Sequence, residues 1–166
     1  MDGVPGLRLA GPDDIARIVE LNTAAVPAVS LATPERMAEL VDMAELAWVV
    51  DGGEPGELAA FVLLFAPGSA YDSRNYAWFS DRYDDFLYVD RIVVAPEHRG
   101  SGLGGRLYEA VIAETRRRGA RRVTAEVNLR PPNPGSSRFH RRLGFEAAGS
   151  QEHGDDYEVE MLVRPV

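Results

Sequence analysis

FLYVDRIVVAPEHRGSGLGGRLYEAVIAE, residues Phe86 to Glu114, reads as a buried strand, a tight glycine-rich bend and a long helix. Phe86 to Ala95 is dense in aromatic and β-branched residues, the composition of a strand held between other layers. Pro96 ends the ladder because it has no N–H to give. Beyond it come Arg99, Gly100, Ser101, Gly102, Gly104 and Gly105, and from Leu103 the spacing of Leu103, Leu107, Ala110 and Val111 is that of one helix face. Glycines before a helix let the backbone bend with its amide N–H groups turned inward and no Cβ to hold a ligand off. The first N–H groups of the helix have no partner within it and carry partial positive charge, so a phosphate or pyrophosphate is their natural ligand. Arg99 adds a full charge at the same place.

Gly100, Gly102 and Gly105 also satisfy the spacing of the dinucleotide fingerprint, and Glu126 lies near the distance expected of a ribose-binding acid. In a dinucleotide fold, however, the strand runs almost directly into the first glycine, whereas here Ala95 to Arg99 intervenes. The roughly 60 residues after Gly105 are too few for the remaining strands of such a fold. A Walker loop needs Lys followed by Ser or Thr after the glycines, and none is present.

The run from Arg99 to Gly104, RGSGLG, resembles the signature of the GNAT superfamily of acyl-CoA N-acyltransferases: Gln or Arg, two residues, Gly, one residue, then Gly or Ala. The strand before it, IVVAPEHRG, is similar to the strand that precedes that signature. Asn133 to Phe145, NPGSSRFHRRLGF, resembles the family's later block of an Asn, a small residue three on, an aromatic–Tyr pair and Leu-Gly-Phe. In this chain His140 stands where the Tyr usually is. The resemblance implies an α/β (α+β) fold with a mixed, mostly antiparallel central sheet of six to seven strands, about four flanking helices and central strands that splay apart. It implies acetyl-CoA as cofactor, with the pyrophosphate on Arg99, Gly100, Ser101, Gly102, Leu103, Gly104 and Gly105 and the pantetheine arm along Ile92, Val93 and Val94. Backbone groups near Val93 and Val94 would bind the arm and the thioester oxygen, where a donor stabilises the developing oxyanion. Asn133 and Ser136 match the later block's contacts to the cofactor arm or the helix start. Asn133 before Pro134 is equally an ordinary N-cap with Pro at the first helical position.

At 166 residues, 45% of them hydrophobic, the chain suits one domain with a single core over residues 1–166. A net charge of −8 argues against a general nucleic-acid surface, which needs surplus cations, and suits a cationic amine as substrate. There is no cysteine, so thiolate nucleophiles, disulfides and Cys-ligated zinc are excluded; the three His show no metal-ligand spacing. No apolar run is long enough to span a membrane and the first residues lack the pattern of a signal peptide, so a cytoplasmic protein with no membrane partner is expected.

In chain order, Leu7 to Ala10 reads as a short strand. Pro12 with Asp13 and Asp14 starts a helix whose apolar face is Ile15, Ile18, Val19 and Val26. Thr33-Pro34-Glu35 starts a second helix with Met37, Leu40, Val41 and Ala44 inward. Ala47 to Val50 and Leu58 to Phe65 read as strands joined by a turn at Asp51-Gly52-Gly53. Pro67 to Asp85 reads as a long loop rich in aromatics, either a lid over the acceptor pocket or an excursion packed on the sheet or in a homodimer contact. The basic run Arg116 to Arg122 falls at a helix end, where the dipole and water explain it. Arg122 to Asn128 reads as a strand, Pro134 to Leu143 as a short helix ended by Gly144, and Phe145 to Gly149 and Tyr157 to Val163 as the last strands.

Direct attack by an amine on the thioester, the mechanism that the resemblance implies, poses two proton problems of different size. Deprotonating an amine of pKa about 10.4 at pH 7 costs roughly 4–5 kcal/mol, whereas a thiol of pKa about 8.5 lies only about 2 kcal/mol from its anion. The base therefore matters more; the candidates on the central strands are Asp90 and Glu126, and the resemblance equally allows a chain of waters in place of one fixed residue. His140, the third catalytic candidate, would be a sulfur or cofactor contact through a neutral imidazole N–H rather than a strong acid, because Arg138, Arg141 and Arg142 beside it in sequence lower its pKa; a purely structural role is the alternative. His98 and His153 read as exposed. Tyr76, Trp78, Asp85 and Tyr88 are the candidate acceptor-binding residues. The reading is an N-acetyltransferase acting on a primary amine, against two rivals: a non-catalytic acyl-CoA-binding module and a dinucleotide-dependent oxidoreductase.

Overall fold

In a computed structural model that describes residues 3–166, the chain divides into two units, Met1–Phe65 with Val89–Ala110, and Ala66–Tyr88 with Val111–Val166. The first unit opens with strand β1 (Leu7–Leu9), helices α1 (Ile15–Ala25) and α2 (Pro34–Met43), and strands β2 (Leu46–Asp51) and β3 (Leu58–Phe65). β1 pairs antiparallel with β2, and β2 antiparallel with β3. β3, with the sequence LAAFVLLF, is buried along its whole length, which is why it lacks the polar alternation of a strand with one wet face. Ile18, Leu21, Met37 and Leu40 form the buried stripes of α1 and α2, and α1 packs on both α2 and β3. α2 starts where Thr33 Oγ1 accepts the Arg36 N–H at 3.1 Å and Pro34 takes the first helical position.

Strand β4 (Leu87–Val94) neighbours β3, and most of it belongs to the first unit. The Ala95 N–H still donates to Ala59 O at 2.8 Å, after which Pro96 ends the strand and a single turn, Pro96–His98, leads to the glycine bend. Helix α4 (Leu103–Arg117) follows.

The second unit holds helix α3 (Arg74–Ser80), the start of β4, the rest of α4, strand β5 (Arg122–Arg130), helix α5 (Pro134–Arg142) and strands β6 (Glu146–Glu152) and β7 (Glu158–Pro165). The start of β4 runs parallel to β5, with Leu87 opposite Val123 and Tyr88 opposite Thr124. β5–β7 and β6–β7 are antiparallel. Strands therefore follow the order β1-β2-β3-β4 in the first unit and β4-β5-β7-β6 in the second. The sheet is mixed and mostly antiparallel, as the sequence implies. Among the described residues, no helix is long and apolar enough to cross a membrane.

Helix α3 departs from the sequence reading, which made Pro67 to Asp85 a loop. Ser73 Oγ accepts the Tyr76 N–H at 3.2 Å and caps the helix. Aromatic residues are indifferent helix formers, so the gain comes from burial: Tyr76 and Phe79, three apart, pack on Phe86 and Tyr88 with ring centroids 5.6–6.5 Å apart. The basic run is also put to use. Arg117 and Arg118 pair with Glu114 at the end of α4, while Arg121 and Arg122 pair with Asp85.

Candidate active site

In the first unit, β4 delivers Ile92, Val93 and Val94 to the bend, with Val93 buried and the other two half-buried. Arg99 turns its Nε back on Val94 O at 3.3 Å, and Ser101 Oγ donates to His98 O at 2.6 Å, so both side chains brace the main chain. Gly100 and Gly102 have φ of +77° and +80°. Such a conformation costs a residue bearing a Cβ on the order of 1–2 kcal/mol. A Cβ added to Gly100, Gly102 or Gly105 would meet no heavy atom within 4 Å. These glycines therefore make no room for the protein's own packing; they leave main chain open outward. Gly149 shows the opposite use, since a Cβ there would stand 2.7 Å from the Trp78 ring. Leu103 is buried and anchors α4, and the Arg106 N–H returns to Gly102 O at 3.1 Å. By helix geometry, the N–H groups of Leu103, Gly104 and Gly105 precede the first N–H that donates within the helix, that of Arg106, and have no intrahelical acceptor. A bend of this form, with Arg99 beside it, fits a diphosphate.

Asp90, also in the first unit, meets Arg91 Nε at 2.7 Å, and both side chains are only 5% exposed. The same guanidinium donates through Nη1 to Asn22 Oδ1 (3.0 Å) and Ser30 O (3.2 Å), and through Nη2 to Ser30 Oγ (3.1 Å). Asp90 thus belongs to a buried ion pair that ties β4 to α1 and to the segment after it.

In the second unit, Glu126 on β5 is the carboxylate held from several sides. Tyr88 Oη lies 2.9 and 2.8 Å from its two oxygens, and Asn75 Nδ2 donates to Oε1 at 3.2 Å. The Tyr88 ring is buried between Tyr76 and Phe79. Tyr76 is itself buried, donating its hydroxyl to Ala66 O at 2.6 Å and accepting the Ser69 N–H at 3.1 Å, so it pins α3 to the segment before it. Trp78 is half-buried, with the Arg82 guanidinium 3.6 Å over its ring. Asp85 binds Arg121 Nε at 2.6 Å and the Arg122 guanidinium; the Arg121 hydrogen bond is the main reason its carboxyl lies below the ordinary range.

Asn133 Oδ1 accepts the Ser136 N–H at 3.3 Å and caps α5. His140 is buried, edge-on to Phe139 and Phe145, with Nδ1 2.8 Å from Ser136 O and 3.3 Å from Ser136 Oγ. A carbonyl only accepts, so Nδ1 carries the proton, and in the neutral ring Nε2 keeps a lone pair. Its pKa is lowered as expected from sequence, but the cause is burial rather than the neighbouring arginines, and the Ser136 carbonyl opposes it. The N–H expected for a thiolate is thus the one given to Ser136.

Two residues read as exposed are not. His98 is half-buried, its Nε2 3.7 Å from a Glu57 carboxylate oxygen. His153 is half-buried, with Nε2 2.8 Å from Asn75 Oδ1 and Nδ1 3.2 Å from Arg74 Nη1. Burial, helped by Arg74, lowers its pKa. Neither Asn75 nor His153 carries a local signal in sequence, because their partners lie 51 and 78 residues away.

The sequence model of the acetyltransferase (GNAT) family matches residues 16–145, and the chain belongs to that family. It is an acetyl-CoA-dependent N-acetyltransferase, and the dinucleotide reading of its glycines falls. The chain is 30% identical to an L-methionine sulfoximine/L-methionine sulfone acetyltransferase of Salmonella typhimurium over 84% of its own length and 78% of the relative's. A Pseudomonas aeruginosa protein of the same name is 28% identical, over 86% and 81%. Among solved structures, Ard1 from Thermoplasma volcanium superposes with a TM-score of 0.72 over 96% of each chain at 18% identity, a likeness of fold.

Proposed function

We propose that this N-acetyltransferase, its 166 residues acting as one catalytic domain, acetylates the primary amine of a small amino-acid-like acceptor. The acceptor class follows the relatives named for L-methionine sulfoximine and sulfone. On the cofactor side, the main chain from Arg99 to Gly105 holds the diphosphate and that of Ile92 to Val94 the pantetheine arm. Bound acetyl-CoA supplies an activated acetyl thioester. On the acceptor side the reading rests on one observation: the Glu126 carboxylate is fixed by Tyr88 at 2.9 and 2.8 Å and by Asn75 at 3.2 Å. A carboxylate so oriented binds the acceptor ammonium and takes its proton, the costlier of the two proton problems. The freed amine nitrogen forms the C–N bond as the C–S bond breaks, and the second amine proton leaves with the thiol. Asp90, held in its pair with Arg91, ties β4 to α1 rather than taking the proton, and His140 supports α5, whose cap is Asn133.

The test is free-thiol release from acetyl-CoA over L-methionine sulfoximine, L-methionine sulfone, L-lysine, spermidine and an alanyl tripeptide. Turnover fastest with one of the first two is expected. Turnover fastest with L-lysine, spermidine or the tripeptide, or no turnover of any of the five while acetyl-CoA binds tightly by calorimetry, would overturn the acceptor class.

A further inference from the structure

Glu126 owes one of its hydrogen bonds to a side chain whose own orientation is set from elsewhere. A carboxamide has a donor end and an acceptor end, and only Nδ2 can serve a carboxylate. Asn75 presents Nδ2 to Glu126 Oε1 at 3.2 Å, and its Oδ1 receives His153 Nε2 at 2.8 Å. Flipping the amide would set its oxygen against the carboxylate and its NH2 against the imidazole.

The imidazole is itself set. Arg74 Nη1 lies 3.2 Å from His153 Nδ1, and a guanidinium can only donate, so Nδ1 is the acceptor and the proton sits on Nε2. The bonds then run in one direction, from Arg74 to His153 to Asn75 to Glu126. His153 is held where it can do this by the β6–β7 hairpin: its N–H donates to Tyr157 O at 2.7 Å, and the His153 and Tyr157 rings lie 5.1 Å apart. Ahead of it, Glu152 and Glu158 stand opposite each other, and Arg130 bonds both.

We infer that His153 is a positioning residue for acetyl transfer, acting through the Asn75 amide to aim the Glu126 carboxylate. The inference rests on the reading of Glu126 as the proton acceptor. His153 touches neither reacting group; removing it lets the Asn75 amide rotate, so the carboxylate loses a fixed donor while the glycine bend is untouched.

The experiment measures kcat and KM for acetyl-CoA and for the fastest amine of the five above, with thermal melting of each variant. His153→Leu should lower kcat about fivefold to tenfold, the scale of one hydrogen bond, with KM for acetyl-CoA unchanged. His153→Gln, which keeps a donor for Asn75 and an acceptor for Arg74, should recover most of the loss. Asn75→Ala should lower kcat by as much, and the double variant Asn75→Ala/His153→Leu should be no worse than Asn75→Ala alone. Losses that multiply, or a His153→Leu enzyme as active as the parent while Glu126→Gln is inactive, would overturn the inference alone. A fully active Glu126→Gln enzyme would overturn the reading beneath it as well.

Discussion

The bend from Arg99 to Gly105 is built of consecutive residues and, on the function proposed, works through main-chain amides, whereas the cluster around Glu126 is assembled from side chains at positions 75, 88, 126 and 153. The difference follows from what each is proposed to recognise. A diphosphate is a diffuse double charge, and amides freed by absent side chains meet it from many angles. A proton acceptor must be aimed at one hydrogen, and aim requires side chains that are themselves held. Tyr88 is held by Tyr76 and Phe79, and Asn75 by His153. The two regions should therefore fail differently when altered, one in binding and the other in turnover.

The largest effect is expected at Glu126→Gln. The amide still accepts from Tyr88 but no longer takes a proton, so kcat should fall about a hundredfold or more while acetyl-CoA binding is kept. Steady-state kinetics at saturating amine, with calorimetry of acetyl-CoA, checks both halves; equal loss in kcat and in affinity would erase the contrast. Next is Gly102→Val. At φ +80° a β-branched side chain strains the bend and fills the opening, so acetyl-CoA affinity should drop about tenfold or more, about 1.4 kcal/mol. If calorimetry finds the affinity unchanged, the diphosphate is held elsewhere.

The same difference decided how much could be read from sequence. Arg99 to Gly105 is legible because its chemistry lies in neighbouring residues, and β3 is legible because burial on both faces gives an unbroken apolar run. Helix α3 was hidden, since Arg-Asn-Tyr-Ala-Trp-Phe-Ser has little helical propensity and gains its stability from Tyr76 and Phe79 meeting Phe86 and Tyr88, which no local pattern records. Glu126 could be nominated from its place on a central strand, but not its partners. Asp85 reads in sequence as an acceptor-binding residue; its arginines come from the turn after α4, Arg121, and the first residue of β5, Arg122. His153 looked like a hairpin residue in water, and only the placement of α3 gives it Asn75.

The smallest expected effect concerns stability and lies at His140, which the second unit buries with its Nδ1–H on Ser136 O. Burial puts its folded pKa below the ordinary 6.5. Above about pH 6.5 both folded and unfolded forms hold a neutral ring, and its full contribution to stability is present. As pH falls below that value the unfolded chain takes up the proton first, so stability declines until the folded ring also protonates. His153, lowered in the same direction, adds to the slope. Denaturant midpoints at pH 7.5 and pH 5 should therefore show an acid-side loss that is smaller in His140→Leu than in the parent, with the remainder owed to His153 and the carboxylates. An identical loss in both proteins would mean that His140 takes up its proton as readily folded as unfolded. Its cage of Phe139, Phe145 and the Ser136 carbonyl would then be open to water, and the α5 segment would offer a cationic imidazole rather than a neutral one.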